Sequence, residues 1–201
     1  MIKIAVLASG SGTNLQAIIE DVMSGYIPAE IKIVLSDKPD AYALTRAENA
    51  GIKTQAVLPK NYASREEFDA ELVKILKEND VEYVALAGYM RLLSKTFLDA
   101  FPNRVVNIHP ALLPSFPGIH GQRDAVEYGV KVSGCTVHFV DENMDHGPII
   151  AQAPVPVLDD DTEETLKARI LEQEHILFPH VLRLIAEGKV EIQGRKVIIK
   201  D

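Results

Sequence analysis

The feature that most constrains the fold is the alternation of short apolar runs with amphipathic helical patterns through the first half of the chain. Ile2–Leu7 is a largely apolar run that predicts a buried strand, and further strands are predicted at residues 31–35, 53–58, 83–87 and 105–108. Such runs are typical of strands covered on both faces, and strands that alternate with helices pair in parallel through right-handed crossovers. We therefore expect an α/β, Rossmann-like fold, with a mostly parallel twisted sheet and helices on both of its faces.

The helical segments between these runs have recognisable boundaries. The clearest spans residues 64–79, where Ser64 is expected to cap the helix and Glu67 to complete a capping box. Phe68 and later apolar residues at helical spacing form the stripe that this helix would bury. Further helices are predicted from Asn14, over residues 41–50 and over residues 94–101.

The second half of the chain has a different pattern. Residues 110–122 form a long irregular segment rich in Pro and Gly, and a loop of this length inside a compact domain is typically functional. Beyond it we predict a helix, two extended segments, a long helix adjusted near Pro179 and a terminal hairpin, at residues 124–128, 132–140, 148–157, 163–187 and 190–199. The 201 residues suit one domain with two halves, residues 1–108 and 109–201.

Composition excludes several classes of function. The formal net charge of -8 argues against non-specific nucleic-acid binding. No apolar run is long enough to cross a bilayer, and the first strand begins at once, which leaves no room for a signal peptide and predicts a cytoplasmic protein. Cys135 is the only cysteine, so an internal disulfide and a Cys-rich metal site are excluded. The spacing of His, Asp and Glu suits no metal, and we assign none.

The segment from Ser9 to Asn14 has the composition of an anion-binding loop. It follows the first strand, and in open α/β sheets ligands bind beyond the carboxyl ends of strands. Its glycines let backbone N–H groups face an anion at the helix N-terminus. No Gly-Lys-Ser/Thr follows, and the third glycine of a dinucleotide motif is absent, so one phosphate monoester on Gly12, Thr13 and Asn14 is the preferred interpretation. The alternative is a tight turn in which Thr13 or Asn14 caps the helix.

Three polar residues at strand ends form the candidate catalytic set. Asn107 and His109 are alternate residues of the fifth strand, so their side chains face the same way where that strand ends. Asp145, in a turn that ends Gly147-Pro148, supplies a carboxylate that can fix the imidazole's tautomer. An amide, an imidazole and a carboxylate suit transfer of a small acyl group to an amine, without a metal or a covalent intermediate. A strand-end cluster of hydrogen bonds is the alternative explanation.

Several motifs resemble one enzyme family across essentially the whole chain. They are NIHPALLP at residues 107–114, GCTVHFV at 134–140, MDHGPII at 144–150, SGSGTNLQAI at 9–18, AGYMRLL at 87–93 and EQEH at 172–175. Together they are similar to the folate-dependent phosphoribosylglycinamide formyltransferases of purine biosynthesis. The resemblance implies a formyltransferase fold, with a nucleotide-binding half at residues 1–108 and a catalytic and folate-binding half at residues 109–201.

The resemblance also implies a reaction and a set of sites. The reaction is direct formyl transfer from 10-formyltetrahydrofolate to glycinamide ribonucleotide, with Asn107, His109 and Asp145 as the catalytic set. Gly12, Thr13 and Asn14 would hold the ribonucleotide, with Glu174 near its ribose. The folate pocket would be lined by Arg65, Met90, Arg91, Leu92, Leu93, Asn107, Val140 and Met144. We expect small-molecule substrates, neither nucleic acid nor membrane as a partner, and a monomer or weak homodimer.

Other interpretations stay open at this point. A formyltetrahydrofolate deformylase has the same catalytic trio but transfers the formyl group to water, and a non-catalytic nucleotide-binding module would need only the first loop. A methionyl-tRNA formyltransferase is not expected, because that family usually adds a C-terminal RNA-binding domain for which this sequence leaves no room, and the acidic charge argues against tRNA. His120, in the irregular loop, could assist near the active site, but a positional role is the preferred interpretation. His138 is expected to be a satisfied core histidine, and His175 and His180 are expected to belong to helix packing. Arg65 has an alternative as an exposed residue of a first helical turn.

Overall fold

The computed structural model describes residues 1–201, which form two compact units, Met1–Val106 and Asn107–Asp201. The first unit contains, in chain order, β1 (Ile2–Leu7), α1 (Thr13–Met23), β2 (Ala29–Ser36), α2 (Tyr42–Asn49), β3 (Thr54–Ala56), a 3-10 turn (Pro59–Asn61), α3 (Arg65–Glu78), β4 (Tyr83–Leu86) and α4 (Lys95–Ala100). Strand β5 (Val105–His109) continues into the second unit, which adds α5 (Gly121–Tyr128), β6 (Val132–Phe139), β7 (Ile149–Pro156), α6 (Glu163–Ala186), β8 (Val190–Gln193) and β9 (Lys196–Ile199).

The strands confirm the predicted α/β fold with a mostly parallel sheet. Their order is β3-β2-β1-β4-β5-β6-β7, while β8 and β9 form a separate antiparallel pair. Strand β1 pairs in parallel with β2 and with β4, and β2 pairs in parallel with β3. Strand β7 is antiparallel to β6. Strands β1, β2 and β4 are largely buried, as expected for parallel strands covered on both faces, whereas the short edge strand β3 is only partly buried.

Each unit buries the apolar faces that its sequence pattern predicts. In the first unit the interior of β1 is fully buried, and α3 buries its predicted stripe of Phe68, Leu72, Ile75 and Leu76. In the second unit α6 buries one face along its whole length and continues through Pro179 without a break. Burial of a side chain such as Phe68 stabilises the fold by about 1.5–3 kcal/mol. None of the helices is both long and apolar enough to span a membrane.

The helix caps follow the sequence with one difference. Ser64 Oγ accepts a hydrogen bond from the N–H of Glu67 at 3.1 Å, as predicted. The carboxylate of Glu67 accepts from the N–H of Ala63 at 3.2 Å, one residue upstream of the predicted Ser64. A reciprocal capping box does form at the start of α6, between Thr162 and Thr165.

Candidate active site

The loop between β1 and α1 is shaped by Gly12. This residue is the N-cap of α1, with a left-handed φ of 76°, and no side-chain cap bond is present there. The alternative of a helix capped by Thr13 or Asn14 therefore does not apply. A Cβ atom added to Gly12 would lie 2.7 Å from both Cα and Cβ of Ala43 in α2, so only glycine fits.

The first turn of α1 has the features of an anion-binding site. Thr13 and Asn14 occupy that turn, where N–H groups lack intrahelical acceptors, and no acidic residue stands in it. The loop's carbonyl groups are engaged elsewhere: Gly10 O accepts from Ala43 N–H at 3.1 Å, and Ser11 O accepts from Arg46 Nε at 2.7 Å. Because these carbonyl groups are bonded to α2, they do not oppose the positive end of the α1 dipole, which attracts negative charge.

The segment that follows β4 presents apolar side chains to solvent. Met90 is 59 % exposed and Leu92 is 50 % exposed, whereas Leu93 is buried. The N–H of Met90 donates to Ser9 Oγ at 2.9 Å, and the guanidinium of Arg91 lies 5.2 Å from the ring centroid of Phe68. Two large exposed apolar residues on a backbone fixed by hydrogen bonds make a surface suited to a flat ligand.

Arg65 is an exposed residue in the first turn of a helix, which was the alternative interpretation of this residue. It begins α3 and is exposed, and its guanidinium lies 4.0 Å from the carboxylate of Glu66. An exposed ion pair of this length contributes little to stability. The exposed side chain is therefore available to an anionic ligand group.

In the second unit, His109 is held from two sides. It is the last residue of β5 and is 4 % exposed. Its Nε2 lies 2.8 Å from the carbonyl oxygen of Phe116, and its Nδ1 lies 3.6 Å from Oδ2 of Asp145. A carbonyl oxygen only accepts, so Nε2 carries a proton and donates to Phe116. Nδ1 faces the carboxylate of Asp145, which lies just beyond hydrogen-bond distance and close enough to interact electrostatically with the ring.

Asp145 is positioned by the backbone of the irregular loop. Its Oδ2 accepts a hydrogen bond from the N–H of Gly118 at 2.7 Å. Asp145 and Phe116 both adopt a left-handed backbone with φ of 49°, which is uncommon for residues other than glycine. Strained residues of this kind cluster at functional sites, where the surrounding structure maintains them. The structure thus places both residues that contact His109 in backbone conformations that need support.

Asn107 has a partner that the sequence did not reveal. Its Nδ2 lies 3.2 Å from Nε2 of His138, which is on β6. Asn107 itself is half-buried, whereas His138 is 2 % exposed. His138 is therefore a satisfied core histidine, as predicted, but its bond to a candidate catalytic residue was missed. Within this unit the structure forms two pairs, Asn107 with His138 and His109 with Asp145.

The remaining predicted residues of the second unit differ in exposure. Val140 is half-buried and Met144 is exposed, and both belong to the turn that carries Asp145. Gly147 closes this turn, since a Cβ there would collide with the carbonyl oxygen of Phe139. Glu174 is a buried carboxylate on α6. Burial, together with the charge of Glu174, raises the pKa of the Cys135 thiol to about 12, so this cysteine stays protonated and unreactive.

The other histidines lie outside the trio. His120 is the exposed N-cap residue of α5, and His175 and His180 are on α6. His175 is half-buried, which agrees with the packing role predicted for it, whereas His180 is exposed. No group of three or more His, Cys, Asp or Glu side chains is arranged to hold a metal ion.

Comparisons with known proteins assign the chain to a family. Residues 2–182 match the Formyl transferase family. The phosphoribosylglycinamide formyltransferase of Escherichia coli is 42 % identical over 94 % of this chain and 90 % of its own length. A trifunctional purine biosynthetic protein of Drosophila melanogaster is 49 % identical over 92 % of this chain, which spans only 14 % of that protein.

Solved structures agree with this assignment. Glycinamide ribonucleotide transformylase 1 from Symbiobacterium toebii matches with a TM-score of 0.99 and 55 % identity, over 100 % of this chain and 95 % of its own. Phosphoribosylglycinamide formyltransferase from Bacillus halodurans matches with a TM-score of 0.89 and 46 % identity, over 91 % of this chain and 94 % of its own. The chain belongs to the formyl transferase family, among the phosphoribosylglycinamide formyltransferases.

Proposed function

We propose that this protein transfers the formyl group of 10-formyltetrahydrofolate to the amine of glycinamide ribonucleotide, a step of de novo purine biosynthesis. The observation that carries the proposal is the geometry of His109, whose two ring nitrogens face a carbonyl oxygen and a carboxylate at the end of β5. Such an imidazole can donate to an oxygen that becomes negative. The names of the relatives that match over nearly their whole length support the same reaction.

The reaction requires stabilisation of an oxyanion and movement of one proton. The lone pair of the acceptor amine attacks the formyl carbon, and the carbonyl oxygen takes up negative charge. Asn107 Nδ2–H and His109 donate to that oxygen, and the bond from His109 Nε2 to Phe116 is exchanged for this contact. Asp145 balances the positive imidazole and accepts a proton from the attacking amine. When the bond to the folate nitrogen breaks, that nitrogen receives the proton, and tetrahydrofolate and the formylated amine remain.

The binding roles are assigned by chemistry and by resemblance. Gly12, Thr13 and Asn14 bind the phosphate of glycinamide ribonucleotide through the N-terminus of α1. Glu174, a buried carboxylate, accepts from the ribose hydroxyl groups. The folate is held by Arg65, Met90, Arg91, Leu92, Leu93, Asn107, Val140 and Met144. The proposal includes a cytoplasmic monomer or weak homodimer that binds neither nucleic acid nor membranes.

The experiment that tests this function compares transfer with hydrolysis. A transferase keeps water away from the formyl donor until the amine is seated, so the enzyme alone should consume 10-formyltetrahydrofolate slowly. Addition of glycinamide ribonucleotide should accelerate consumption by orders of magnitude and yield one formylated acceptor per donor. Release of formate at one rate with or without acceptor would identify a deformylase instead. Ligand binding without any turnover would identify a non-catalytic module.

A further inference from the structure

His138 is a buried histidine with a hydrogen-bond partner at each ring nitrogen. Its Nδ1 lies 2.8 Å from the carbonyl oxygen of Phe139, and its Nε2 lies 3.2 Å from Nδ2 of Asn107. His138 and Asn107 are separated by 31 residues and belong to different strands. The pair is therefore a tertiary contact that joins β6 to the candidate catalytic amide.

The chemistry of these contacts fixes the proton on the ring. The Phe139 carbonyl oxygen can only accept, so Nδ1 of His138 must carry the hydrogen. Burial lowers the pKa of His138, and the nearby His109 lowers it further. The Phe139 carbonyl and the carboxylates of Asp145 and Asp141 act in the opposite direction, but the net effect is a lowered pKa. The ring is therefore neutral and its Nε2 has a lone pair. Only a donor can face that nitrogen, so the NH₂ group of Asn107, and not its oxygen, lies toward His138.

We propose that His138 is a positioning residue that fixes the orientation of the Asn107 amide. It accepts one N–H of Asn107 and leaves the second N–H of the same NH₂ group for the oxygen that becomes negative during formyl transfer. This inference rests on the proposed role of Asn107. Without an acceptor at His138 the amide can turn by half a rotation, which would present its carbonyl oxygen to the developing negative charge and replace attraction with repulsion.

Two substitutions of His138 separate positioning from packing. In His138→Asn the amide nitrogen can take the place of Nδ1 and donate to the Phe139 carbonyl, but the side chain is too short to accept from Asn107. In His138→Gln the longer side chain brings an amide oxygen to the place of Nε2 and restores the acceptor. We expect kcat to fall roughly 10–10²-fold in the Asn variant, with KM largely unchanged, because one oxyanion donor is misdirected. The Gln variant should retain most of the wild-type kcat, and thermal melting of both variants reports their stability.

An Asn107→Ala background completes the test. Because both residues act through one hydrogen bond, His138→Asn should lower kcat no further when Asn107 is already Ala. An Asn107→Ala variant with wild-type kcat would refute the proposed role of Asn107 and this inference with it. A loss in Asn107→Ala without a loss in His138→Asn overturns the inference alone, and so do equal losses in the Asn and Gln variants.

A further measurement uses the wild-type protein and therefore does not depend on whether a variant folds. In ¹⁵N-histidine-labelled protein near neutral pH, the ring signals of His138 should show a neutral imidazole with the proton on Nδ1. A proton on Nε2, or on both nitrogens, would mean that His138 donates to Asn107 and would overturn the proposed orientation of the amide.

Discussion

Strands β1 and β5 both end in segments that we propose contact the substrates, but the first segment uses backbone groups and the second uses side chains. The segment after β1 relies on backbone: a left-handed Gly12, carbonyl groups bound to α2, and the N–H groups that begin α1. The end of β5 relies on side chains: Asn107 is bonded to His138 on β6, and His109 is bonded to the carbonyl oxygen of Phe116 in the loop that follows. A backbone site depends on space and φ, whereas a side-chain site depends on the orientation of polar groups. Damage to the first should therefore weaken binding, and damage to the second should slow the chemical step.

The largest effect on catalysis is expected from His109→Ala. Loss of the imidazole removes a hydrogen-bond donor to the oxygen that becomes negative. We therefore expect kcat to fall roughly 10²–10⁴-fold, with little change in the KM for 10-formyltetrahydrofolate. Steady-state kinetics measures both quantities. His180→Ala, which removes an exposed histidine on α6, is the matched control and should leave kcat unchanged. Near-normal turnover of folded His109→Ala would remove the imidazole from the mechanism.

Asp145→Asn should have the next largest effect. The substitution keeps the shape of the side chain and an oxygen that can accept from Gly118, but removes the negative charge that faces His109. We expect kcat to fall roughly 10²-fold, since general base catalysis is lost. Asp159→Asn removes an exposed carboxylate that pairs with Lys131 and serves as the control for net charge. Equal activity of the two variants would show that the charge of Asp145 is not used.

The difference between the two strand ends also explains what the sequence could predict. The strands, the Ser64 cap and the hairpin at Gln193-Gly194 depend on neighbouring residues, so their patterns were sufficient. The loop after β1 was likewise predictable, because glycine spacing and position after a strand are local signals. Gly12 as the N-cap was less evident, since the collision that excludes a side chain comes from Ala43 in another helix.

The partners at the end of β5 could not be predicted in the same way. His109 and Asp145 are bound by a carbonyl oxygen of Phe116 and an N–H of Gly118, and every residue type carries such groups. Backbone partners leave no signature in a sequence. His138 was recognised as a buried histidine, but its bond to Asn107 requires the relative position of two strands. The residue types of the site were thus predictable, while the bonds that orient them were not.

Gly12→Ala tests the backbone site. The new methyl group would lie 2.7 Å from Cα of Ala43 on a left-handed backbone, so the loop must shift at a cost of roughly 1–3 kcal/mol. We expect the KM for glycinamide ribonucleotide to rise, while the KM for 10-formyltetrahydrofolate changes little. Gly25→Ala is the matched control, because φ at Gly25 is 81° but nothing lies within 4 Å of an added Cβ. Gly25→Ala should lower stability without raising KM, and the same KM in both variants would deny the loop a role in binding.

The smallest effect on activity is expected at Thr136, which supports the segment after β5 without belonging to the trio. Its buried hydroxyl donates to Ala111 O at 2.7 Å and accepts from Leu113 N–H at 3.1 Å and from Gln152 Nε2 at 3.0 Å. Thr136→Val removes the partner of Ala111 O and of Leu113 N–H, while Gln152 Nε2 keeps its bond to Leu113 O at 2.9 Å. The variant should lower the free energy of unfolding by about 1–3 kcal/mol. Denaturant titration measures this loss, and Thr136→Ser, which keeps the hydroxyl, should recover most of it. Equal stability of the Val and Ser variants would mean that the hydroxyl network contributes nothing.

The most direct test compares glycinamide ribonucleotide with the same acceptor lacking its 5′-phosphate, in the wild type, Gly12→Ala and His109→Ala. The wild type should favour the phosphorylated acceptor by roughly 10²-fold in kcat/KM, since several charge-assisted hydrogen bonds are lost with the phosphate. Gly12→Ala should reduce that ratio toward one, whereas His109→Ala should keep the ratio and lose kcat. A wild-type ratio of one, or a ratio unchanged by Gly12→Ala in a folded protein, would contradict the division between a backbone site that binds and a side-chain site that reacts.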